Sequence, residues 1–306
     1  MSGVANIQYF LHQQIDKKKW DDCITTANNG LIYGYSFYLD AMTAQWDALV
    51  LNDYEAVMPL TWKKKYNIPY LYQPFLTAQL GVFGKNITEE LLETFIDLIP
   101  SSFKFIEINL NSGNAFATPP GFSSDRSNYI LNLDKPYTDI YQNYRENIQR
   151  NIKKAIQLGC TVQKDFDEEK VIKLAVEQMK SHGEEAAENI ERFRKLYQQL
   201  HNRQMATTYG IWLKNELLAS CIFFFSHQRA YYILVGNSPN GKTIGASHML
   251  IDAFIKDYAG KNIALDFEGS DIPSLAFFYS SFGAVHETYP ALKINRLPFY
   301  LKWMKK

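Results

Sequence analysis

Two stretches of this chain carry the same order of predicted strands and helices, and this repeat restricts the folds that the chain can adopt. In the first stretch, apolar runs separated by turn residues predict three strands, then a helix and a strand, at 48–52, 55–62, 68–75, 88–99 and 104–110. In the second stretch, the same order recurs at 205–213, 217–226, 230–237, 244–258 and 263–267. A short helix and a last strand follow at 272–282 and 284–295.

The repeat is also visible in the residues themselves. When residue 91 is placed on residue 250, residues 91–109 align with 250–268 without a gap. The Phe-Ile pair at 95–96 then falls on the Phe-Ile pair at 254–255. An order of elements repeated in this way predicts two similar domains in tandem.

Three predicted helices separate the two stretches, and no Gly/Ser-rich linker lies among them. The helices cover 141–159, 167–181 and 186–202. We therefore expect an N-terminal half at 1–160 and a C-terminal half at 161–306. The predicted fold class is α/β, with a mixed, mostly antiparallel sheet flanked by helices in each half.

Composition argues against several classes of protein. Lys and Arg total 32 residues and Asp and Glu also total 32, so the chain lacks the surplus of cations that a general nucleic-acid binder needs. Cys23, Cys160 and Cys221 are too far apart for a zinc motif, and no histidines have the spacing of metal ligands. No apolar run is long enough to cross a bilayer and no signal-peptide pattern is present. We therefore expect a cytoplasmic protein that binds no metal.

A Gly-containing turn between a predicted strand and a predicted helix is the first candidate for a binding site. The first turn of a helix has unpaired N–H groups and a positive dipole, which attract phosphate. Glycines let the backbone approach a ligand, and Lys242 adds a cation. An ordinary Gly-rich turn without a ligand is the alternative. The candidate cofactor-binding residues of this turn are Asn240, Gly241, Lys242, Thr243, Ile244, Gly245 and Ala246. His248, in the helix that follows, is expected on the surface.

With this turn at its centre, the segment 205–296 resembles the GNAT superfamily of acyl-CoA-dependent N-acyltransferases. The family pattern is (Arg/Gln)-x-x-Gly-x-(Gly/Ala); Gly245 matches it, whereas Asn240 and Thr243 depart from it. The resemblance implies that the turn binds the pyrophosphate of CoA. It also implies that the backbone N–H groups of the preceding strand polarise the thioester carbonyl. The strand residues in question are Leu234, Val235 and Gly236.

The same resemblance implies two catalytic residues further along the chain. Residues 278–284 (FYSSFGA) are similar to the family pattern Phe-Tyr-x-x-x-Gly-Phe, and Tyr279 takes the place of the tyrosine that protonates the departing thiolate. Asp266 and Glu268 alternate with apolar residues on a predicted strand, so that both carboxylates are expected on one face. Glu268 is a candidate base for the attacking amine. A core tyrosine, and carboxylates paired with Lys or Arg, are the alternatives.

A basic helix narrows the resemblance further. Residues 145–159 (RENIQRNIKKAIQLG) resemble the Arg-rich junction helix of the Fem-type aminoacyl transferases and of their double-GNAT relatives. The resemblance implies that its cations hold phosphates of CoA, of tRNA or of a nucleotide-linked substrate. A solvated basic face is the alternative. The candidate substrate-binding residues are Arg145, Arg150 and Lys153.

The first half lacks a counterpart of the Gly-containing turn. Residues 76–88 occupy the corresponding place without an equivalent of GKTIGA. We expect a degenerate half that provides a wall of a substrate cleft, with Gln73 and Gln79 facing the cleft.

The leading functional hypothesis is an N-acyltransferase that moves an acyl group from acyl-CoA, in the first place acetyl-CoA, to an amine of a small molecule or peptide. Two alternatives stay open. One is a Fem-like transferase that uses aminoacyl-tRNA as the donor. The other is a degenerate GNAT-fold protein that binds a ligand without catalysing a reaction.

Overall fold

The computed structural model describes residues 6–180, 187–269 and 271–298. Its internal contacts divide the chain into two compact units, the first made of Met1–Arg126 with Thr288–Lys306 and the second of Ser127–Glu287. Residue 160, where the sequence suggested a boundary between two repeats, lies within the second unit. The division of the repeats at that residue stays a prediction.

Among the residues described, the first unit contains three α-helices and six whole strands of a mixed sheet. Its helices are α1 (Lys17–Thr26), α2 (Ser36–Met42) and α3 (Glu89–Asp97). Its strands are β1 (Ile7–Phe10), β2 (Trp46–Leu51), β3 (Ala56–Lys65), β4 (Ile68–Tyr72), β5 (Phe83–Gly84) and β6 (Phe105–Asn109). The strands pair in the order β1-β2-β3-β4-β6, and all of these pairs are antiparallel except β4 with β6.

Helix α3 covers one face of this sheet because its apolar residues recur on one side. Thr88 begins the helix by accepting a hydrogen bond from the Leu91 amide, which satisfies one of the unpaired amides at its start. Leu92, Phe95 and Ile96 are buried in a cluster with residues of the sheet. Replacing a buried Phe by Ala typically costs about 3–5 kcal/mol, so this contact is a main contribution to the stability of the unit.

The segment between β4 and β5 follows the edge of the sheet where the parallel pair ends. The Leu80 amide donates to the Asn109 carbonyl at 3.0 Å, and the Asn109 side chain donates to the Ala78 carbonyl at 2.9 Å. Gln73 accepts from the Asn109 amide at 2.9 Å, and Gln79 accepts from the Ser112 amide at 2.9 Å. The two glutamines, which we expected to face a cleft, therefore bind backbone groups of their own unit. The space beyond the β4–β6 pair is filled by this segment.

Two strands cross the division between the units: β7 (Ser123–Asn132) and β13 (Val285–Asn295). Residues Ala291–Asn295 of β13 pair with β6 in the first unit, and residues Ile130–Asn132 of β7 pair with β12 in the second.

The second unit holds the remaining elements. Its helices are α4 (Tyr137–Gln142), α5 (Glu146–Gln157), α6 (Glu168–Lys180), α7 (Ala187–Asn202), α8 (Pro239–Ile244), α9 (Ala246–Tyr258) and α10 (Pro273–Ser280). Its strands are β8 (Thr161–Lys164), β9 (Ala206–Leu213), β10 (Glu216–Ser226), β11 (Arg229–Asn237) and β12 (Ala264–Asp266). They pair in the order β7-β12-β11-β10-β9-β8, and only β11 with β12 is parallel.

Neighbouring residues of β10 point to opposite faces of this sheet and so contact different helices. The Phe223 ring stacks on Phe254 of α9 with a centroid distance of 3.9 Å. The Phe224 ring stacks on Phe193 of α7 at 5.7 Å. The apolar side of α5, with Ile148 and Ile152, joins the cluster on the α9 face. The unit is thus a sheet between two layers of helices.

Most of the strands and helices predicted from the sequence are confirmed in type and order. The single helix predicted at 141–159 is wrong, because the chain leaves the helix at 143–145, where the Arg145 amide donates to the Ser281 carbonyl, and α4 and α5 are separate. In both units, a parallel pair joins two strands that lie on either side of a helix in the sequence: β4 and β6 on either side of α3, and β11 and β12 on either side of α9. The aligned Phe-Ile pairs at 95–96 and 254–255 are buried in these two helices. The mixed, mostly antiparallel sheet with flanking helices agrees with the predicted fold class.

Candidate active site

Strands β11 and β12 separate in the middle of the sheet of the second unit. They pair only over Arg229–Tyr231 and Ala264–Asp266. Strand β12 ends at Asp266, whereas β11 continues to Asn237. From Tyr232 onward, this edge of β11 has no strand partner in the part of the chain that the structure describes. We call the opening beyond Tyr231 and Asp266 the fork.

A β-bulge lies in β11 at the beginning of the fork. Ile222 of β10 pairs with Leu234 and Phe223 pairs with Tyr232, so Ile233 has no counterpart on β10. An extra residue of this kind increases the local twist and bends the strand. The bulge therefore lies between the paired start of β11 and the predicted carbonyl-binding residues Leu234, Val235 and Gly236. At the far end of the strand, the Asn237 amide donates to Gln178 Oε1 at 2.7 Å, and Gly236 packs against the backbone of Leu174 and Ala175 in α6.

Tyr279 lies where the two strands separate. Helix α10 places its ring on Phe267, with a centroid distance of 4.6 Å, and 6.4 Å from the ring of Tyr232. Tyr232 and Phe267 are the residues that directly follow the paired segments of β11 and β12. The Tyr279 side chain is 8% exposed, and its hydroxyl has no hydrogen-bond partner within the described ranges. Burial raises the pKa of Tyr279 well above its usual value, so the phenol stays protonated.

Glu268 approaches the same point from the turn after β12. Burial is the main cause of the raised Tyr279 pKa, and the charges of Cys221 and then of Glu268 add to it. Its backbone is left-handed, with φ at 67°, an uncommon conformation for a residue other than glycine. We expected Asp266 and Glu268 on one face of a strand. That expectation is wrong because the strand ends at Asp266 and the chain turns at Glu268.

Asp266 stabilises the turn at Glu268 through a hydrogen bond. Its Oδ1 accepts a hydrogen bond from the Glu268 amide at 2.9 Å, and its Oδ2 lies 2.7 Å from Nη1 of Arg229. Asp266 is 2% exposed, so this ion pair is shielded from solvent. Pairing with an arginine was the sequence-based alternative for Asp266, and the structure confirms it. The same carboxylate holds the unusual backbone conformation of Glu268 in place.

Residues 240–246 do not form an open loop. Residues Pro239–Ile244 form the short helix α8, Gly245 adopts φ of 85°, and α9 begins at Ala246. The amide of Gly241 donates to Ser238 Oγ at 3.0 Å, so the first turn of α8 is capped by the protein itself. Asn240 donates to Glu216, and the exposed Lys242 lies on the outer side of the helix.

Both glycines of this segment lie against backbone carbonyl groups. A Cβ on Gly241 would lie 2.1 Å from the Leu218 oxygen, and one on Gly245 would lie 2.6 Å from the Asn151 oxygen of α5. Close packing accounts for both glycines without a ligand. At the start of α9, the amides of Ala246 and Ser247 find no hydrogen-bond acceptor among residues that the structure describes.

Helix α5 lies beside residues 239–246. The three cations at its start and along it that were predicted to bind phosphate have different surroundings. The Arg145 guanidinium lies over the Phe277 ring of α10 at 4.5 Å. Arg150 and Lys153 are exposed and form no ion pair with any described residue. Lys154, which was not among the candidates, donates to the Thr243 carbonyl at 2.9 Å.

Sequence reasoning missed the position of His248. We expected a surface residue, but the ring lies edge-on against Phe278 at 5.0 Å, and its Nδ1 atom is buried without a partner. Burial lowers the pKa of His248 from 6.5 to about 4, so the imidazole is neutral at physiological pH. No periodicity in the sequence marks this position, because the contact depends on where α10 packs.

Neither a metal centre nor a membrane span is found in the residues that the structure covers. No three His, Cys, Asp or Glu side chains come together there in a way that would hold a metal ion. None of the described helices combines the length and the apolar character needed to cross a bilayer.

Comparison with known proteins agrees with this architecture. Residues 142–272 match the family model described as "Acetyltransferase (GNAT) domain". Among solved structures, that of FemX superposes with a TM-score of 0.68 at 13% identity, covering 98% of this chain and 100% of FemX. A tandem GNAT protein from the clavulanic acid biosynthesis pathway gives a TM-score of 0.54 at 9% identity, covering 96% and 99% of the two chains.

A conserved protein of unknown function from Bacteroides thetaiotaomicron also superposes, with a TM-score of 0.58 at 12% identity over 90% of this chain and 96% of that chain. No curated protein sequence matches this one. Residues 142–272 are thus similar to a GNAT domain, and the fold of the chain is similar to those of FemX and of the tandem GNAT protein, in agreement with the resemblance that the sequence motifs suggested.

Proposed function

We propose that the protein is an N-acyltransferase whose reaction takes place at the fork between β11 and β12. The observation that carries this proposal is the position of Tyr279, with its unpaired hydroxyl, and of Glu268 at the point where the strands separate. A protonated phenol and a carboxylate at one opening provide a proton donor and a proton acceptor for one reaction.

In the proposed reaction, an amine attacks the carbonyl carbon of an acyl thioester, a C–N bond forms and the C–S bond breaks. Glu268 accepts the proton that the amine loses, directly or through a water molecule. Tyr279 donates a hydrogen bond, and then its proton, to the departing thiolate. Within 234–236, the backbone N–H that points away from β10, toward the side where β12 has ended, polarises the thioester carbonyl.

The proposed donor is an acyl-CoA, with acetyl-CoA as the first candidate. The amides of Ala246 and Ser247 at the start of α9 and the exposed ammonium of Lys242 are the groups available to its diphosphate. The proposed acceptor is an amine of a small molecule or a peptide. The free state of all three cysteines supports a cytoplasmic location.

Thermal unfolding with and without acetyl-CoA tests the donor. A ligand at about 100 times its Kd stabilises the folded state by about 2.7 kcal/mol, which raises the melting temperature by several degrees. Lys242→Ala should reduce this shift, whereas Lys173→Ala, a change of another exposed lysine in α6, should leave it unchanged. The absence of any shift at millimolar acetyl-CoA refutes an acyl-CoA donor.

The exposed cations of α5 favour a second candidate, in which the donor is an aminoacyl-tRNA. Arg150 and Lys153 have no acidic partner among described residues and are available for phosphates. The affinity for tRNA should then fall steeply with salt and fall further in Arg150→Ala/Lys153→Ala. Salt-independent binding, or none, eliminates this donor.

The packing of residues 239–246 favours a third candidate, a GNAT-fold protein that binds a ligand without catalysis. Ser238 caps the Gly241 amide, and both glycines lie against protein carbonyl groups. Transfer of an acetyl group to any amine in a substrate panel, with loss of the transfer in Tyr279→Phe, excludes this candidate.

A further inference from the structure

The first unit contains a pocket of about 550 Å³, and none of the residues that line it belongs to the candidate active site. Helix α1 forms one side of the pocket through Lys19, Asp22, Cys23 and Thr26, which are spaced by three and four residues and so share one face of the helix. A volume of this size is within the range of pockets that bind small molecules.

The turn between β2 and β3 forms a second wall, and it is fixed to α1. The ammonium of Lys19 lies 2.6 Å from the Asp53 carboxylate. The amide of Asp16, the residue that caps α1, donates to the Tyr54 hydroxyl at 2.7 Å. Because both contacts hold the turn against the helix, this wall does not have to rearrange when a ligand enters.

Lys85 and Asn86 form the third wall, which is also fixed to α1. The amide of Asn28 donates to the Gly84 carbonyl at 3.2 Å, and the Asn28 side chain donates to the Lys85 carbonyl. Burial raises the pKa of the Cys23 thiol to about 11, and the charge of Lys85 opposes this rise. Lys85, which is exposed, and Cys23, which is buried, both line the pocket.

Two charges of opposite sign in this pocket have no partner among the residues described. The carboxylate of Asp22 and the ammonium of Lys85 form no ion pair with each other or with any other described group. The acidic residues of the lining outnumber its lysines, which disfavours a polyanion such as a nucleotide. Leu51, Ala56 and Leu91 add apolar surface to the lining.

We propose that this pocket binds a small zwitterion of the amino-acid or short-peptide class. The ligand ammonium pairs with Asp22, its carboxylate pairs with Lys85, and an aliphatic side chain contacts Leu51, Ala56 and Leu91. This site is independent of the acyl-transfer site, and neither proposal depends on the other.

Calorimetric titration of the full-length protein tests the site with four matched compounds: L-leucine, L-leucyl-L-leucine, N-acetyl-L-leucine and L-leucinamide. The first two keep both charges, whereas each of the others lacks one. We expect saturable binding of at least one zwitterion and a loss of about tenfold or more in affinity when either charge is removed. The stronger ligand of the first pair tells whether the site takes a free amino acid or a peptide.

Variants identify the contacts. Lys85→Met should weaken the zwitterion but leave L-leucinamide unaffected, and Asp22→Asn should weaken the zwitterion but leave N-acetyl-L-leucine unaffected. Lys18→Met, a change in α1 that does not line the pocket, is the control and should alter neither. Bound ligand should also slow alkylation of Cys23 at high pH, measured by mass spectrometry. The proposal is overturned if no zwitterion binds at about 10 mM, a concentration that detects even weak complexes, or if both pocket variants bind like the control.

Discussion

Replacing Tyr279 by Phe separates catalysis from stability, because the hydroxyl makes no hydrogen bond to described residues while the ring is packed on Phe267. Removal of a hydroxyl that has no partner among the described residues costs no hydrogen bond, so the free energy of unfolding should change by less than about 1 kcal/mol. If the phenol is the proton donor, turnover should fall by about 10²–10⁴-fold, or roughly 3–5 kcal/mol in the activation barrier.

Tyr209→Phe is the matched control. The Tyr209 hydroxyl donates to Asp257 Oδ2 at 2.6 Å, and a hydrogen bond to a charged group contributes about 1.5–3 kcal/mol. The control should therefore lose stability and keep its turnover, the opposite pattern to Tyr279→Phe.

The assay combines urea unfolding with steady-state transfer of the acetyl group to an amine that the wild-type protein accepts. The reasoning is refuted if Tyr279→Phe keeps its turnover within about twofold, since a proton donor contributes far more than that. It is equally refuted if Tyr279→Phe loses as much stability as the control, because the hydroxyl would then have a structural partner.

Three further predictions concern stability, measured by urea unfolding. Burial lowers the folded-state pKa of His248 from 6.5 to about 4, so its neutral form stabilises the protein above pH 6.5 and this stabilisation is lost as the pH falls toward 4. The loss of stability should be about 2 kcal/mol at pH 5 and should be absent in His248→Leu. Gly245→Ala should cost about 1–2 kcal/mol because the backbone there is left-handed, and about 1–3 kcal/mol more because the added Cβ clashes with the Asn151 carbonyl oxygen. Gly159→Ala should cost only the first amount, because Gly159 has the same φ but open space around it. Equal losses would contradict the packing argument. Arg229→Met should cost about 3–5 kcal/mol because Asp266 is left buried without its cation. Arg229→Met/Asp266→Leu should recover part of this loss, since the double variant also lacks the bond from the Glu268 amide to Asp266. No recovery would show that packing, not charge, is what the arginine provides.

The sequence by itself determined most of the elements and their order, apart from the break between α4 and α5 and the short helix α8. Alternating apolar runs and turn residues predict strands because side chains alternate across a sheet, and the stripe of α9 predicts a helix because its apolar residues recur on one side. The repeated Phe-Ile pairs predicted that two helices have equivalent places in two similar halves. In the structure, both pairs are buried. These are local patterns, and each can be recognised without knowing what the element packs against.

The tertiary structure alone decided where the candidate site is and what its residues do. The glycines at 241 and 245 suggested a ligand-binding turn, but only the packing of Leu218 and Asn151 shows that protein carbonyl groups occupy the space next to them. The fork arises because β12 ends after three residues while β11 continues, and strand pairing is a contact between distant parts of the chain. The buried surroundings of His248 and the left-handed turn at Glu268 likewise depend on neighbours remote in sequence, which no local pattern records.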